Sequence, residues 1–277
     1  MVVGESRTGS GFGSGVRALA SGLVYLVVLA FGATAVSLVV SPGDDAAATD
    51  ERPAKNRVTL ASLKAATTRT TLPRAPRDPD PQGVTDGEVV HPHSVLPLYA
   101  APGRRPFAKV GPKQFGDTWL PVVERRGGWS RVLLPSRPNG STGWLRTKQV
   151  ERRTSPYLIR VHLGSRTLEL VDRGTTVGSW TVAVGAPGTP TPTGRTFLLG
   201  QLVDDSQSFS PVILPLGSHS DTLDTYGGGP GTVALHGWPD GSVFGQAVSH
   251  GCVRVPADAL DALSQVPLGT LVLVDEQ

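Results

Sequence analysis

Hydrophobic and polar residues alternate through the C-terminal part of the chain, in short runs separated by turn residues. The segment YLIRVHL places Ile159, Val161 and Leu163 on one face of a strand. RTLELVD and TTVGSWTVAVG follow after short turns, as in an antiparallel meander. GTVALHG has the pattern of a short apolar strand ending at His236, PADALDALSQVP has helical spacing, and GTLVLV is a closing strand. We therefore predict a mostly β domain over residues 156–277.

A second β pattern precedes it, over residues 87–152. SVLPLYAAPG, DTWLPVVERRGGWSRVLLP and STGWLRTKQV carry apolar residues bounded by Gly, Pro, Asn or Ser, and ERRGGW and RPNGST are typical of hairpin turns. This order of strand, long loop, hairpin and short strand resembles the small SH3-like β-barrel found beside bacterial envelope enzymes. Trp119, Trp129 and Trp144 either form an exposed ligand surface or pack the interior of that barrel.

Residues 18–40 contain no charged side chain. At about 1.5 Å per residue they span the hydrocarbon core of a bilayer of roughly 30 Å. Arg7 and Arg17 precede the run, which predicts a cytoplasmic N-terminus over 1–17 and an extracytoplasmic location for everything downstream. The alternative is a signal peptide cleaved near the AAA at 46–48. We favour a single-pass anchor in the cell membrane, because the apolar part of a signal peptide is about 7–15 residues long.

The segment that follows, 41–86, is rich in Pro, Thr, Arg and Asp and has no hydrophobic periodicity. Such a composition does not bury enough apolar surface to fold alone. We therefore predict a disordered, semi-stiff linker that holds the downstream domains away from the membrane.

Composition narrows the function classes. The formal net charge is only +3, so we expect no nucleic-acid partner, which would require a concentrated basic face. An exported protein uses cysteines in pairs for disulfides, and this chain has a single cysteine. That thiol is therefore either buried and inert or kept for its reactivity.

The single cysteine, Cys252, lies in AVSHGCVRVP, and its polar, glycine-rich surroundings favour reactivity. A cysteine nucleophile needs a base that makes thiolate available from a free pKa of about 8.5, and donors for the oxyanion. Gly251 leaves room for substrate, and the N–H groups of Gly251 and Cys252 are candidate oxyanion donors. His236 and His250 are both candidate bases, and spacing alone does not choose between them. An intervening hairpin would return the chain from His236 to Cys252.

Two further possibilities involve histidines. A metal site made of Cys252, His236 and His250 lacks any HxxxH or CxxC spacing, so we expect neither metal nor cofactor. His219, in PLGSHSDT, is a weaker candidate for a position near the cleft.

The pair HG at 236–237 together with SHGCVRV at 249–255, and TPTPTG at 189–194 upstream, resembles the L,D-transpeptidases with a YkuD-type catalytic domain. The resemblance covers about 120 residues and implies a β-sandwich or barrel fold. It implies Cys252 as nucleophile and His236 as general base. The remaining motif residues would shape the site: Ser249 and His250 in the pocket, the Gly237 carbonyl on the base, and Arg254 on a substrate carboxylate or bracing the loop.

The resemblance also implies the reaction. The expected partner is a peptidoglycan stem peptide with a diamino acid at its third position and D-alanine at its fourth. Attack by Cys252 would release D-alanine, and an acceptor amine would resolve the thioester into a 3–3 crosslink, a reaction of cell-wall organisation and cell shape. Water or a free D-amino acid as acceptor would make the same site a carboxypeptidase or exchange enzyme. The alternative from another class is an inactive wall-binding protein, which thiol labelling would distinguish.

Overall fold

Seven short antiparallel strands form the first sheet. The computed structural model describes residues 58–203, 207–226 and 228–277. The strands are β1 (Glu88–Pro92), β2 (Leu96–Tyr99), β3 (Pro106–Val110), β4 (Leu120–Arg126), β5 (Trp129–Leu133), β6 (Thr142–Arg146) and β7 (Val150–Thr154). Their order across the sheet is β3-β2-β6-β5-β4-β1-β7. We call this part the N-terminal β-unit; its relation to SH3-like barrels stays a prediction.

The tight turn between β4 and β5 confirms the predicted hairpin. Gly127 and Gly128 form it with φ values of +49° and +82°, a region that glycine enters without steric cost. The flanking residues Arg126 and Trp129 face each other across the hairpin.

The three tryptophans of the N-terminal β-unit are buried, so the alternative of an exposed ligand surface is wrong. Trp119, Trp129 and Trp144 are 9%, 8% and 3% exposed. Arginine side chains cover the remaining ring faces, including Arg146, whose guanidinium carbon lies 4.4 Å from the Trp129 ring centroid.

Ten further strands and one helix form the second part of the molecule. They are β8 (Tyr157–His162), β9 (Thr167–Asp172), β10 (Thr175–Thr181), β11 (Val184–Gly185), β12 (Gly194–Phe197), β13 (Ile213–His219), β14 (Thr232–Gly237), β15 (Ala247–Ser249), β16 (Val253–Val255), α1 (Ala257–Leu263) and β17 (Leu271–Asp275). One sheet has the order β10-β9-β8-β17-β12, a second β13-β14-β16, and β11 pairs with β15. The predicted meander is confirmed as β8-β9-β10.

The larger sheet, the three-stranded sheet and α1 enclose one hydrophobic core. Ile159 and Val161 of β8 are fully buried in it, as alternation predicts, whereas Leu163 lies beyond the strand and is only partly buried. Leu260 and Leu263 of α1 also contribute to this core. The three-stranded sheet therefore has one face on the core and leaves the other for the site.

The Pro-rich segment is not disordered where it is described. Residues 58–86 lie along the N-terminal β-unit through backbone hydrogen bonds, such as Ala66 N–H to Lys109 O at 2.7 Å and Leu72 N–H to Arg137 O at 2.8 Å. Ala66 and Leu72 are each 3% exposed. The linker prediction is therefore wrong for 58–86, because a pre-existing sheet supplies the apolar surface and hydrogen-bond partners that the segment lacks. Residues 41–57 lie outside the described part.

A buried ion pair ties the same segment to the second part of the molecule. Two of the guanidinium nitrogens of Arg195, on β12, donate to the Asp78 carboxylate, Nε and Nη2 each at 2.6 Å, and both side chains are almost fully buried. Phe197, Leu199 and Leu271 also pack into the apolar cluster of the N-terminal β-unit. The three sequence regions are therefore joined by buried contacts.

Among the described residues, no helix has the length and apolar character needed to cross a bilayer. The predicted N-terminal tail and anchor, 1–17 and 18–40, lie outside those residues.

Candidate active site

Two parallel strands bring His236 and Cys252 to one face of the three-stranded sheet. β14 pairs with β16 so that Leu235 faces Val253 and His236 faces Arg254. Leu235 and Val253 point into the core, with no exposed surface. Alternation then places His236 and Arg254 on the opposite face, together with Cys252, which directly precedes β16.

The predicted hairpin between His236 and Cys252 is therefore wrong. The connection is a crossover that contains a 3₁₀ turn over Gly241–Val243 and strand β15. A hairpin would have made the two strands antiparallel, whereas the crossover makes them parallel.

His236 is oriented and neutral. Its Nδ1–H donates to the Gly237 carbonyl at 2.7 Å, which leaves Nε2 as an acceptor. Burial lowers the pKa of the imidazole, and the nearby Arg254 charge lowers it further against the opposing effect of the Gly237 hydrogen bond. A neutral imidazole with a free Nε2 lone pair has the form required of a general base.

Cys252 is partly exposed, and its thiol is protonated in the resting site. Burial raises the pKa of the thiol, against the opposing effects of a backbone hydrogen bond from Ala234 and of the Arg254 charge. The expectation that neighbouring groups favour thiolate is thus only partly met, because desolvation outweighs them.

The turn before Cys252 is locked by Ser249. The Ser249 hydroxyl donates to the Cys252 carbonyl at 2.5 Å and accepts from Gly251 N–H at 3.1 Å. The Gly251 N–H is therefore already engaged, which corrects its predicted role as an oxyanion donor and leaves that role to the Cys252 N–H. Gly251 has φ of +109°, a conformation that strains any other residue.

His250 lies at the rim of the site and not beside the thiol. Its exposed ring stacks on Tyr226 with centroids 5.0 Å apart, and its Nδ1 lies 3.3 Å from the Tyr226 hydroxyl. The unusual backbone of Gly251 interrupts the alternation that would otherwise put His250 and Cys252 on one face. The structure thus brings His236, and not His250, onto the face of the nucleophile.

Arg254 braces the site through its backbone and covers an aromatic wall with its side chain. Its N–H and C=O exchange 2.9 Å hydrogen bonds with Ala183. Its guanidinium carbon lies 3.6 Å from the Trp238 ring centroid, and Phe209 packs edge-on to His236 at 5.0 Å. Within the described residues the buried Arg254 Nε has no hydrogen-bond partner, so the predicted contact with a carboxylate stays a prediction.

Comparison with known proteins identifies the family. Residues 156–274 match YkuD, the L,D-transpeptidase catalytic domain. A Bacillus licheniformis protein that carries the name L,D-transpeptidase YkuD is 34% identical over 122 residues, 44% of this chain and 67% of that protein. A Bacillus subtilis protein of the same name is 31% identical over 123 residues, 44% of this chain and 68% of that protein. The chain belongs to the YkuD family of L,D-transpeptidase catalytic domains.

Solved structures with lower similarity include an L,D-transpeptidase from Mycobacterium tuberculosis. It is 16% identical with a TM-score of 0.38, over 50% of this chain and 74% of that chain. An overlap this low supports no further conclusion.

The YkuD domain contains supporting residues that sequence reasoning missed. Ser210 accepts from Gly237 N–H at 2.8 Å and donates to the Val212 carbonyl at 2.5 Å, so it holds the glycine whose carbonyl orients His236. Tyr226, which stacks on His250, was missed as well. Neither residue belongs to a local motif, so only the folded chain reveals its role.

The TPTPTG stretch of the YkuD domain supports the cysteine loop from the side. Thr189 Oγ1 donates to the Ser249 carbonyl at 2.9 Å, and Thr191 Oγ1 accepts from Gly185 N–H at 2.9 Å. The threonines therefore connect this stretch to the Ser249–Cys252 turn and to β11.

His219 does not line the cleft of the YkuD domain. It is fully buried, and its Nε2–H donates to the Thr68 carbonyl at 2.8 Å. Burial lowers the pKa of His219 to about 4, and the Arg137 charge lowers it further against the opposing effect of the Thr68 hydrogen bond. The residue belongs to the junction with the Pro-rich segment.

Proposed function

We propose that this chain is a cysteine-dependent L,D-transpeptidase that acts on peptidoglycan stem peptides. One observation carries the proposal: His236 on β14 and Cys252 directly before the parallel strand β16 share a face, and the Gly237 carbonyl fixes the His236 tautomer with Nε2 free. This is the arrangement of nucleophile, base and orienting group that covalent acyl transfer requires.

In the first half-reaction the Cys252 sulfur attacks the carbonyl of the third stem residue. His236 Nε2 takes the thiol proton. The carbonyl oxygen becomes negative and accepts a hydrogen bond from the Cys252 N–H. Collapse of the tetrahedral intermediate breaks the amide bond, His236 returns the proton to the departing D-alanine amine, and a thioester remains on Cys252.

In the second half-reaction an amine of another stem attacks the thioester. His236 accepts the proton of the amine and returns it to the departing Cys252 sulfur. The product is a 3–3 crosslink, and the reaction needs no cofactor and no reactant besides the two stem peptides.

The proposed location follows from the N-terminal sequence. The uncharged run 18–40, preceded by Arg7 and Arg17, would anchor the chain in the cell membrane with the YkuD domain facing the wall. A stem-peptide substrate lies on that side of the membrane.

The test is incubation of the purified chain with disaccharide-tetrapeptide, followed by mass spectrometry of protein and products. We expect a Cys252 adduct equal to substrate minus D-alanine, and crosslinked dimers. The Cys252→Ser variant is the matched control and should give neither. Tripeptide without dimers would instead assign carboxypeptidase activity. Labelling of Cys252 by iodoacetamide at alkaline pH without any adduct would overturn the proposed substrate, and a thiol that stays unreactive there would support a wall-binding protein.

A further inference from the structure

The connection between β13 and β14 is held from outside the YkuD domain. Arg137, in the β5–β6 connection of the N-terminal β-unit, donates from Nη1 to the Ser220 carbonyl at 3.0 Å. Its Nη2 donates to the carbonyls of Leu223 at 3.1 Å and Pro230 at 3.0 Å. A single guanidinium thus joins both ends of this connection, a geometry that the planar fork of arginine permits and a lysine ammonium does not reproduce.

Asn139 adds a second attachment at the start of the same connection. Its side-chain amide donates to the His219 carbonyl at 2.7 Å and accepts from His219 N–H at 2.8 Å. The same amide nitrogen lies 3.1 Å from an Asp221 carboxylate oxygen. The end of β13 is therefore fixed relative to the β5–β6 connection.

The connection has hydrogen bonds of its own, between Tyr226 and Gly229 and to the Ser220 hydroxyl, but no buried side chain in its described part holds it in place. Among its described residues, 221–226 and 228–230, no side chain is buried, and Tyr226 is 55% exposed. Segments without buried apolar side chains have low local stability. The hydrogen bonds from Arg137 attach both ends of the connection to the N-terminal β-unit.

The same connection contacts the turn that carries the nucleophile. Tyr226 stacks on His250, two residues before Cys252. At the other end, a Cβ placed on Gly251 would lie 3.9 Å from the Ser220 Cβ. A shift of the connection therefore moves groups that line the mouth of the candidate active site.

We propose that Arg137 is a positioning residue for acyl transfer, acting by holding the β13–β14 connection so that Tyr226 stacks on His250. The expected effect of Arg137 on turnover rests on the proposed function. The attachment of the β13–β14 connection by Arg137 does not depend on any activity. It makes the N-terminal β-unit part of the machinery that shapes the substrate site.

The first test measures directly whether Arg137 keeps Tyr226 stacked on His250. NMR of the full chain, kept in mild detergent because of the apolar run 18–40, records the His250 imidazole resonance, assigned with His250→Gln. The stacked Tyr226 ring displaces this resonance, and Tyr226→Ala gives its unstacked position. We expect Arg137→Gln to move it toward that position, and Arg137→Lys to move it part of the way. The matched control, Arg126→Gln, removes an exposed guanidinium of the same β-unit that pairs with Glu124 and should leave it unchanged.

The second test reads the consequence for the reaction. Arg137→Gln should lower kcat/KM for disaccharide-tetrapeptide by about tenfold to a hundredfold. Alkylation of Cys252 by iodoacetamide, which needs no substrate positioning, should match that of Arg126→Gln. If Arg137→Gln fails to fold, both tests use Arg137→Lys instead.

Two results would overturn the inference. A His250 resonance at its wild-type position in the folded Arg137 variants would show that Arg137 does not hold Tyr226. A displaced resonance with turnover equal to that of Arg126→Gln would remove the role in the reaction. If the wild-type chain does not turn over the stem peptide, the proposed function fails, while the resonance still decides whether Arg137 holds the connection.

Discussion

At the residue scale, the resting site contains a neutral thiol and a neutral imidazole. Burial raises the pKa of Cys252 and lowers that of His236, so each group disfavours its charged form. Both directions favour a neutral pair over a preformed thiolate–imidazolium ion pair. Proton transfer to His236 has to accompany attack on the substrate, when the protonated base and the developing oxyanion stabilise each other.

This arrangement predicts the pH dependence of Cys252 alkylation. Because the thiol pKa is raised, the iodoacetamide rate should keep increasing beyond pH of about 8.5, the free-thiol value. Arg254→Gln removes a charge that lowers the thiol pKa and should shift the profile further toward alkaline pH. Arg126→Gln, in the N-terminal β-unit, is the control. A rate that is already constant at neutral pH would indicate an ion pair instead.

Replacement of the two histidines separates their roles. His236→Gln removes the free Nε2 acceptor and should slow acylation by about 10²–10⁴-fold. It should also slow alkylation at neutral pH. His250→Gln should leave alkylation unchanged, because the ring lies at the rim on Tyr226. Rapid-quench acylation and iodoacetamide rates measure both effects. The opposite pattern would make His250 the base.

The sequence motif names the residues of the site but not their geometry. The HG pair and SHGCVRV identify His236 and Cys252, whereas the choice between His236 and His250 depends on the backbone of Gly251, which spacing does not reveal. Ser210 and Tyr226 come from connections without periodicity or motif. Their roles depend on contacts across 27 and 24 residues of chain, respectively.

At the element scale, strand existence was predictable and strand pairing was less so. Alternation located β8 and β9, and their short turn determined antiparallel pairing. For β14 and β16, the apolar pattern fits either direction, because the connection is long enough for a hairpin with a wide loop or for a crossover. The parallel register that places His236 opposite Arg254 therefore emerged only from the fold.

The buried pair between the Pro-rich segment and β12 should be important for stability. Asp78→Asn leaves the Arg195 charge buried without its counter-charge and should cost about 3–5 kcal/mol in the free energy of unfolding. Arg126→Gln, at an exposed ion pair, should cost at most about 1 kcal/mol. Urea unfolding measures both, and equal midpoints would contradict the assigned importance of Asp78.

His219 should make stability depend on pH. Its pKa is lowered to about 4 in the folded chain from an ordinary value of 6.5. The unfolded chain therefore takes up a proton that the folded chain refuses, and stability falls as pH decreases from about 6.5 to about 4 by about 3 kcal/mol. His219→Gln should be less stable at pH 7 but should lose less on acidification. If acidification lowered the stability of the wild type and of His219→Gln by the same amount in unfolding experiments, His219 would not be the cause.

At the scale of the whole molecule, the sequence regions that composition separates are physically joined. The low hydrophobicity of 41–86 predicted a linker, yet the buried side chains of Ala66 and Leu72 and the buried Asp78–Arg195 pair help to fix part of it on the neighbouring sheets. Composition indicates whether a segment can fold alone. It does not indicate whether the segment packs against a neighbouring sheet. The same limitation concealed Phe197 and Leu271, which lie in the YkuD match but pack with the N-terminal β-unit.

A series of N-terminal deletions tests these buried contacts. The fragment 58–277 should unfold cooperatively, because it retains the buried pair and both apolar clusters. The fragment 87–277 loses Asp78 and leaves Arg195 buried without a counter-charge, so it should unfold at lower urea, and Arg195→Met within that fragment should recover part of the loss by removing the unpaired charge. The fragment 153–277 additionally exposes Phe197 and Leu271 and should aggregate.

Equal urea midpoints for 58–277 and 87–277 would restore the interpretation of 58–86 as a dispensable linker. A lower midpoint without recovery in Arg195→Met would assign the loss to the backbone pairing of Ala66 and Leu72 instead of to the ion pair.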